Sequence, residues 1–334
     1  MLVDVTAHRT SSIRDVIMAL FQGYDYDVAR LFLDSLRATG YRGRVIVVAA
    51  RLTDVTVDQL EAAGVELVWF NRFSLPYLKH CATGWKWRRM YPLTRAATVR
   101  PISPIVRAYV RKRLDRIPLN DVVKQAKLAI PFVHYFCARF AVYSRLLAER
   151  GDEFDRVFLT DVRDVVFQAD PFAWDVPTDR LACFSECPEK TIGDCRFNSR
   201  WIRDGLGQGA LDEVADKQLI CAGTTMGPTA AVARYLCAMV RQMMLLKRQV
   251  NGIDQGTHNY VMHTGAAGPF DVYLNHAGPV MNLAGTPVER LRFNNAGRLV
   301  NDDGSVVAVV HQFDRLPEMY RQRLSILSET GAAT

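Results

Sequence analysis

Along the first seventy residues, short and wholly apolar runs alternate with stretches of helical periodicity. Val16-Ile17-Met18-Ala19-Leu20-Phe21, closed by Gly23, predicts a buried strand. A helix is expected from an Asp27 cap to Thr39, with Val28, Leu31, Phe32, Ser35 and Leu36 at helical spacing and Gly40 as its stop. Val45 to Val48 reads as a second strand, Val55 to Ala63 as a polar helix closed by Gly64, and Val65 to Phe70 as a third strand. Strands and helices alternating over short connections imply parallel crossovers, hence an α/β fold with a doubly wound, mostly parallel sheet and helices on both faces. The first strand is not followed by G-x-G-x-x-G, which argues against a dinucleotide site.

The pattern loosens between Phe73 and Asn120, where Pro92, Pro101, Pro104 and Pro118 interrupt it, and a loop-and-helix insertion outside the sheet is expected there. Order returns with a helix predicted from Pro131 to Arg150, carrying Phe132, Phe136, Phe140, Tyr143 and Leu147 on one face. Arg156 to Thr160 is then a strand whose carboxyl end delivers Asp161. Further strands are predicted near Leu181 to Phe184 and Leu219 to Cys221, and helices over Thr229 to Gln249 and Asp254 to Met262. Arg298-Leu299-Val300 and Ser305 to Val310 flank Asn301-Asp302-Asp303-Gly304, a hairpin signal. The organisation expected is one domain over residues 1–334, with a βαβαβ part at 14–72, the insertion at 73–120 and the remainder at 121–334.

Composition adds little to this picture, but charge changes it. The net charge is +7, yet between Lys79 and Arg116 eleven Lys/Arg face only Asp115, a local +10 that leaves −3 for the rest. Within that stretch Trp85-Lys86-Trp87-Arg88-Arg89 sets aromatics beside cations, and Ile105 to Leu114 interleaves apolar positions with Arg107, Arg111, Lys112 and Arg113. Such asymmetry suits an anionic membrane surface or acceptor through residues 79–116, or a cover over phosphates. No nucleic-acid motif appears, so no nucleic acid is expected as partner. The seven cysteines follow no disulfide or zinc spacing and read as reduced thiols. Asp4, Arg14 and Asp15 break any secretory h-region, and the longest apolar run, Leu128 to Val142, is too short and too polar to span a bilayer. A cytoplasmic protein, peripheral on the inner face of the membrane at most, is expected.

The most informative stretch is Phe158-Leu159-Thr160-Asp161-Val162-Arg163-Asp164-Val165-Val166-Phe167-Gln168. Two carboxylates sit just past a buried strand, where open α/β sheets bind their ligands. Carboxylate oxygens at that point suit a hard divalent ion, Mn²⁺ or Mg²⁺, that shares its shell with phosphate oxygens. A phosphatase of the haloacid dehalogenase type also places an Asp after a buried strand, but it needs an acid two positions on, and Arg163 stands there. A non-catalytic basic protein that binds membrane or nucleic acid is the other alternative.

Positions 160–172, Thr-Asp-Val-Arg-Asp-Val-Val-Phe-Gln-Ala-Asp-Pro-Phe, resemble the metal-site signature of the GT-A nucleotide-diphospho-sugar transferases, with two residues between the acids rather than one. Ile220 to Gly227 is similar to the strand-and-turn of that superfamily that contacts the donor sugar, with Cys221 in place of a frequent Asn. Asp254-Gln255, with Asn259 one turn on, resembles its transferred-sugar segment, and Val309-Val310-His311 the C-terminal His that completes the metal shell.

The resemblance implies a GT-A fold and transfer of a sugar from a nucleotide-diphosphate donor, with UDP as default. The acceptor implied is a glycan or lipid-linked molecule, and the cofactor Mn²⁺ or Mg²⁺. Asp161, Asp164 and His311 would hold the metal. Gln22, Gly23, Arg139, Tyr143, Asp161, Arg163, Gly223 and Thr224 would contact the donor, and Asp254 and Gln255 would act on the transferred sugar or acceptor.

Overall fold

The computed structural model describes residues 12–70, 103–133, 135–187, 189–250 and 252–316. The N-terminal alternation folds as β1 (Asp15–Gln22), α1 (Tyr26–Ala38), β2 (Arg44–Ala50), α2 (Asp54–Ala62) and β3 (Val65–Trp69). Helix α1 begins one residue ahead of the expected Asp27 cap, with Asp25 at the N-cap position and no side-chain cap; Asp27 lies in its first turn. Thr53 caps α2 by accepting a hydrogen bond from the Thr56 amide.

Within the basic segment, residues 71–102 lie outside the described residues, and with them the Trp85 to Arg89 cluster and Lys79. The remainder forms α3 (Ser103–Leu114) outside the sheet, as expected. Helix α4 (Val122–Ala129), which the apolar pattern does not predict, follows an Asp121 cap. The helix expected from Pro131 begins instead at Tyr135 and runs to Arg150 as α5; Pro131 to Val133 form the turn after α4.

The second half comprises β4 (Arg156–Thr160), β5 (Val165–Phe167), β6 (Leu181–Ser185), α6 (Arg196–Gly205), α7 (Gln208–Val214), β7 (Ile220–Pro228), α8 (Thr229–Met244), α9 (Ile253–His263), β8 (Phe270–Tyr273), β9 (Val280–Asn282), β10 (Arg292–Phe293), β11 (Leu299–Val300) and β12 (Val309–His311). The central sheet has seven strands in the order β3-β2-β1-β4-β7-β6-β8. Only β7 runs against the others, pairing antiparallel with both β4 and β6. A smaller sheet, β5-β12-β9, lies beside it.

Two departures from the sequence pattern bear on the site. The Gly-containing segment after Cys221 is not a turn: it continues as β7 through Pro228, paired with β4 from Thr224 to Pro228. The Asn301–Gly304 turn forms as expected, with a Val300–Val306 bridge, but the strand following it leaves the hairpin to become β12 between β5 and β9. That detour carries His311 to the acids.

Alternation along β1 explains the layering, because successive side chains of a strand point to opposite faces. Val16 and Met18 face a core built with α4, α5 and α8, whereas Ile17, Ala19 and Phe21 face one built with α1 and α2. Fully buried Asp15 holds β1 to β4 through a bidentate pair with Arg156, at 2.8 and 2.7 Å. Among the described residues no helix is long and apolar enough to cross a membrane. Six cysteines among them are free thiols.

Candidate metal centre

Strands β2 and β3 lie on one side of β1 and β4 on the other, so the strand order reverses between β1 and β4. Ligands of open α/β sheets bind outside the carboxyl ends of the strands at such a reversal. Asp161 leaves β4 there, its amide donating to Gly223 O at 3.1 Å. The chain then turns through Val162 and Arg163 into β5, which brings Asp164 back to the side of Asp161. The two-residue spacing thus belongs to a turn between strands of two different sheets, not to an extended motif.

Strand β12 pairs antiparallel with β5 and sets His311 opposite Val165. The Gln312 amide donates to Asp164 O at 2.7 Å, with Gln312 at φ 63°, in the left-handed region a non-Gly residue seldom enters. His311 Nε2 lies 3.7 Å from Asp161 Oδ2 and 3.8 Å from Asp164 Oδ1. Those gaps are too long for hydrogen bonds. They fall between the separations of roughly 3.0 and 4.2 Å expected of adjacent and opposite ligands about an ion at ~2.1 Å. Asp164 and His311 are buried and Asp161 is partly open to solvent, which leaves one side of the cluster accessible.

His311 Nε2 is a buried nitrogen without a hydrogen-bond partner. Its tautomer follows from its other side. Asn282 Nδ2 donates to Ser185 O at 2.8 Å, so Asn282 Oδ1 is the atom 2.7 Å from His311 Nδ1 and must accept from it. Asn282 is in turn held by Asn275, whose Oδ1 accepts from the Asn282 amide and whose Nδ2 donates to Asn282 O. With Nδ1 committed as donor, Nε2 is the nitrogen free to ligate, and such outer partners fix the ring of a metal-binding His. Two carboxylates and this nitrogen form a donor set that fits a divalent ion.

Gly223 completes the geometry by having no side chain. A Cβ there would stand 2.6 Å from His311 Cε1 and 2.8 Å from Asp161 Oδ2, inside any real contact distance. Its φ is not positive, so close approach rather than backbone freedom is what requires glycine here.

The electrostatics are coupled. Arg139 on α5 donates to Asp161 Oδ1 and, at 3.1 Å, to Asp254 Oδ2, leaving Asp161 Oδ2 for the cluster. Burial works to raise the Asp161 carboxyl, but Arg139 and His311 outweigh it and hold it below the usual carboxylate range. Asp164 is shifted up by burial, with the Asp161 charge adding to it against His311. Burial opposes a charge on His311, yet Cys221, Asp161 and Asp164 together raise it well above an ordinary histidine.

The remaining expected residues divide. Arg139 and Asp254 join the cluster through their shared ion pairs. Gln255 is occupied with the backbone of β7, accepting from Ala222 N at 2.7 Å and donating to Ile220 O at 2.8 Å. Asn259 does the same at Ile220. Arg163 turns outward to Asp314 at 3.1 Å. Tyr143 is buried in the core, its hydroxyl without a partner, and with Arg139, Leu159, Thr160 and Ala222 lines a small cavity. Thr224 is fully buried in β7. Gln22 and Gly23 lie at the carboxyl end of β1, with Gly23 N donating to Ala50 O.

Sequence reasoning missed Asn282, Asn275 and Glu186. Glu186 follows β6 as Asp161 follows β4, and its carboxyl is raised by burial against the pull of His311. An acid directly after a buried strand was the available signal for Glu186; none marked the asparagines.

Comparison of the sequence with models of protein families and with curated proteins returned no match.

Proposed function

We propose that the chain is a metal-dependent glycosyltransferase of GT-A type that takes its sugar from a nucleotide diphosphate. The observation carrying this reading is the convergence of Asp161 Oδ2, Asp164 Oδ1 and His311 Nε2 at the carboxyl edge of the sheet, from positions 150 residues apart in the chain. Acids after a buried strand, a glycine-bearing segment and a late histidine, in that order along the chain, are the parts the GT-A resemblance calls for. A divalent ion held there would supply Lewis-acid stabilisation of the charge that develops on a diphosphate leaving group. The residues of the chain have their own tasks: Asp161 and Asp164 would neutralise the cation, Asn282 orients His311, and Arg139, bridging Asp161 and Asp254, holds Asp161 with its Oδ2 toward the cluster.

The phosphatase alternative lacks its second acid, since Arg163 faces Asp314 at the surface. The donor class is tested by incubating the protein with UDP-sugars and following nucleotide release. Release should require Mn²⁺ or Mg²⁺ and fall by at least ~10²-fold in Asp161→Asn. Release that persists with chelator, or that survives loss of Asp161, contradicts the proposal.

A further inference from the structure

Helix α3 buries one face against the core, and among the described residues the rest of it meets only Phe132, through Tyr109, and Lys247, through Arg107. Val106, Val110 and Leu114, at four-residue spacing, join the core built on α4, α5 and α8. On the far side Ile105 is 73% and Tyr109 52% exposed. A single exposed aliphatic side chain is ordinary, and what sets this face apart is the company Ile105 and Tyr109 keep with a run of cations. Lys112 follows Tyr109 on the same stripe, with Arg111 and Arg113 flanking it and Arg116 just past the helix.

From 103 to 127 there are seven Lys/Arg and only Asp115 and Asp121, and Asp121 is taken by Lys124 at 2.6 Å. Among the described residues no carboxylate pairs with Arg111, Lys112, Arg113 or Arg116. The surface therefore carries concentrated positive charge that no described carboxylate neutralises, together with an aliphatic and an aromatic side chain able to leave water. Both properties together match an anionic bilayer surface: the cations meet headgroup phosphates, Tyr109 suits the interfacial zone, and Ile105 enters the acyl boundary. A nucleic acid would use the cations but gives Ile105 no role.

We propose that the exposed face of α3 docks this protein onto an anionic lipid surface. Vesicles of phosphatidylcholine with about one third phosphatidylglycerol supply the probe, and phosphatidylcholine alone the control. The intact protein is expected to co-sediment with the anionic vesicles at ~0.05 M salt, much less at ~0.5 M, and not with the neutral ones. Each cation at such a surface strengthens binding about fivefold, so R111E/K112E/R113E should weaken it on the order of 10²-fold or more. I105S/Y109S should weaken it while leaving every charge in place, the readout a polyanion-binding face would not move. Among the described residues all substituted side chains but Tyr109, which neighbours Phe132, are free of aromatic or ion-pair contacts, and circular dichroism checks that both variants fold. No binding by the intact protein at low salt, equal binding to neutral vesicles, or undiminished binding by either variant overturns the proposal. So does tighter binding to duplex DNA that I105S/Y109S leaves unchanged.

Discussion

His311 shows how one side chain links proton and metal. Burial disfavours its charged form, but Cys221, Asp161 and Asp164 win and raise it well above an ordinary histidine. In the metal-free fold this proton is therefore stabilising below the ordinary histidine value, and the contribution is lost as pH rises through the raised one. A divalent ion needs the Nε2 lone pair and must expel the proton. Apparent affinity should climb by up to about tenfold per pH unit as pH rises toward the raised His311 value, with about one proton released per ion below it. Calorimetric Mn²⁺ titrations in buffers of different ionisation enthalpy count that proton; a pH-independent affinity would show that Nε2 is no ligand. Asn282 gives a companion test, since its Oδ1 accepts from the ring while its Nδ2 ties β9 to Ser185 at the end of β6. Asn282→Leu should reduce Mn²⁺ affinity 10- to 100-fold, as loss of outer-sphere partners commonly does. It should also cost about 2–4 kcal/mol of stability in a urea titration, from the buried groups it strands.

At the scale of elements, β7 and α9 explain why Gln255 and Asn259 are where they are. Strand β4 stops pairing at Thr160–Thr224, so Ile220 and Ala222 extend past it with buried backbone groups unmet on that side. The amides of Gln255 and Asn259 continue the ladder in place of a strand. Asn259→Leu should therefore unfold at lower denaturant, by about 2–4 kcal/mol, with the metal affinity moved far less. If the stability were unchanged and donor turnover lost instead, Asn259 would be a substrate contact and not a strut. The same region marks the limit of what was legible in sequence. Strands with continuous apolar runs, such as Val16 to Phe21, announced themselves, because both faces of a covered sheet are apolar. The pairing of Asp161 with His311 is legible only through ordered matches along the chain, and at Gly223 the sequence admits both a close backbone approach and a tight turn, because composition alone cannot separate a bend from a steric gap. The link from Asn275 through Asn282 to His311 is invisible in sequence, since Asn282 meets His311 only when β9 and β12 pair.

Across the whole molecule, the cluster exists only when three separate pieces of chain are assembled: α5 with Arg139, the β4–β5 turn with both acids, and β12 with His311. No unfolded chain can present that set, so a ligand that needs it binds the native state alone and shifts the folding equilibrium by mass action. Arg139 makes the metal-free fold tolerable by bridging Asp161 and Asp254, a buried arrangement that would otherwise hold uncompensated carboxylates. The ion and Arg139 thus both draw on Asp161, through different oxygens, and need not exclude each other. With Mn²⁺ and a nucleoside diphosphate each about a hundredfold above its dissociation constant, the diphosphate should add about 2.7 kcal/mol over Mn²⁺ alone. For a chain of this length that is a rise in Tm of roughly 3–6 °C. Differential scanning fluorimetry should show the increment with the wild type and lose it in both Asp161→Asn and His311→Ala, while a nucleoside without phosphates gives none. An equal rise in the two variants would mean that the diphosphate binds somewhere other than this cluster, and the proposed donor site would fall with it.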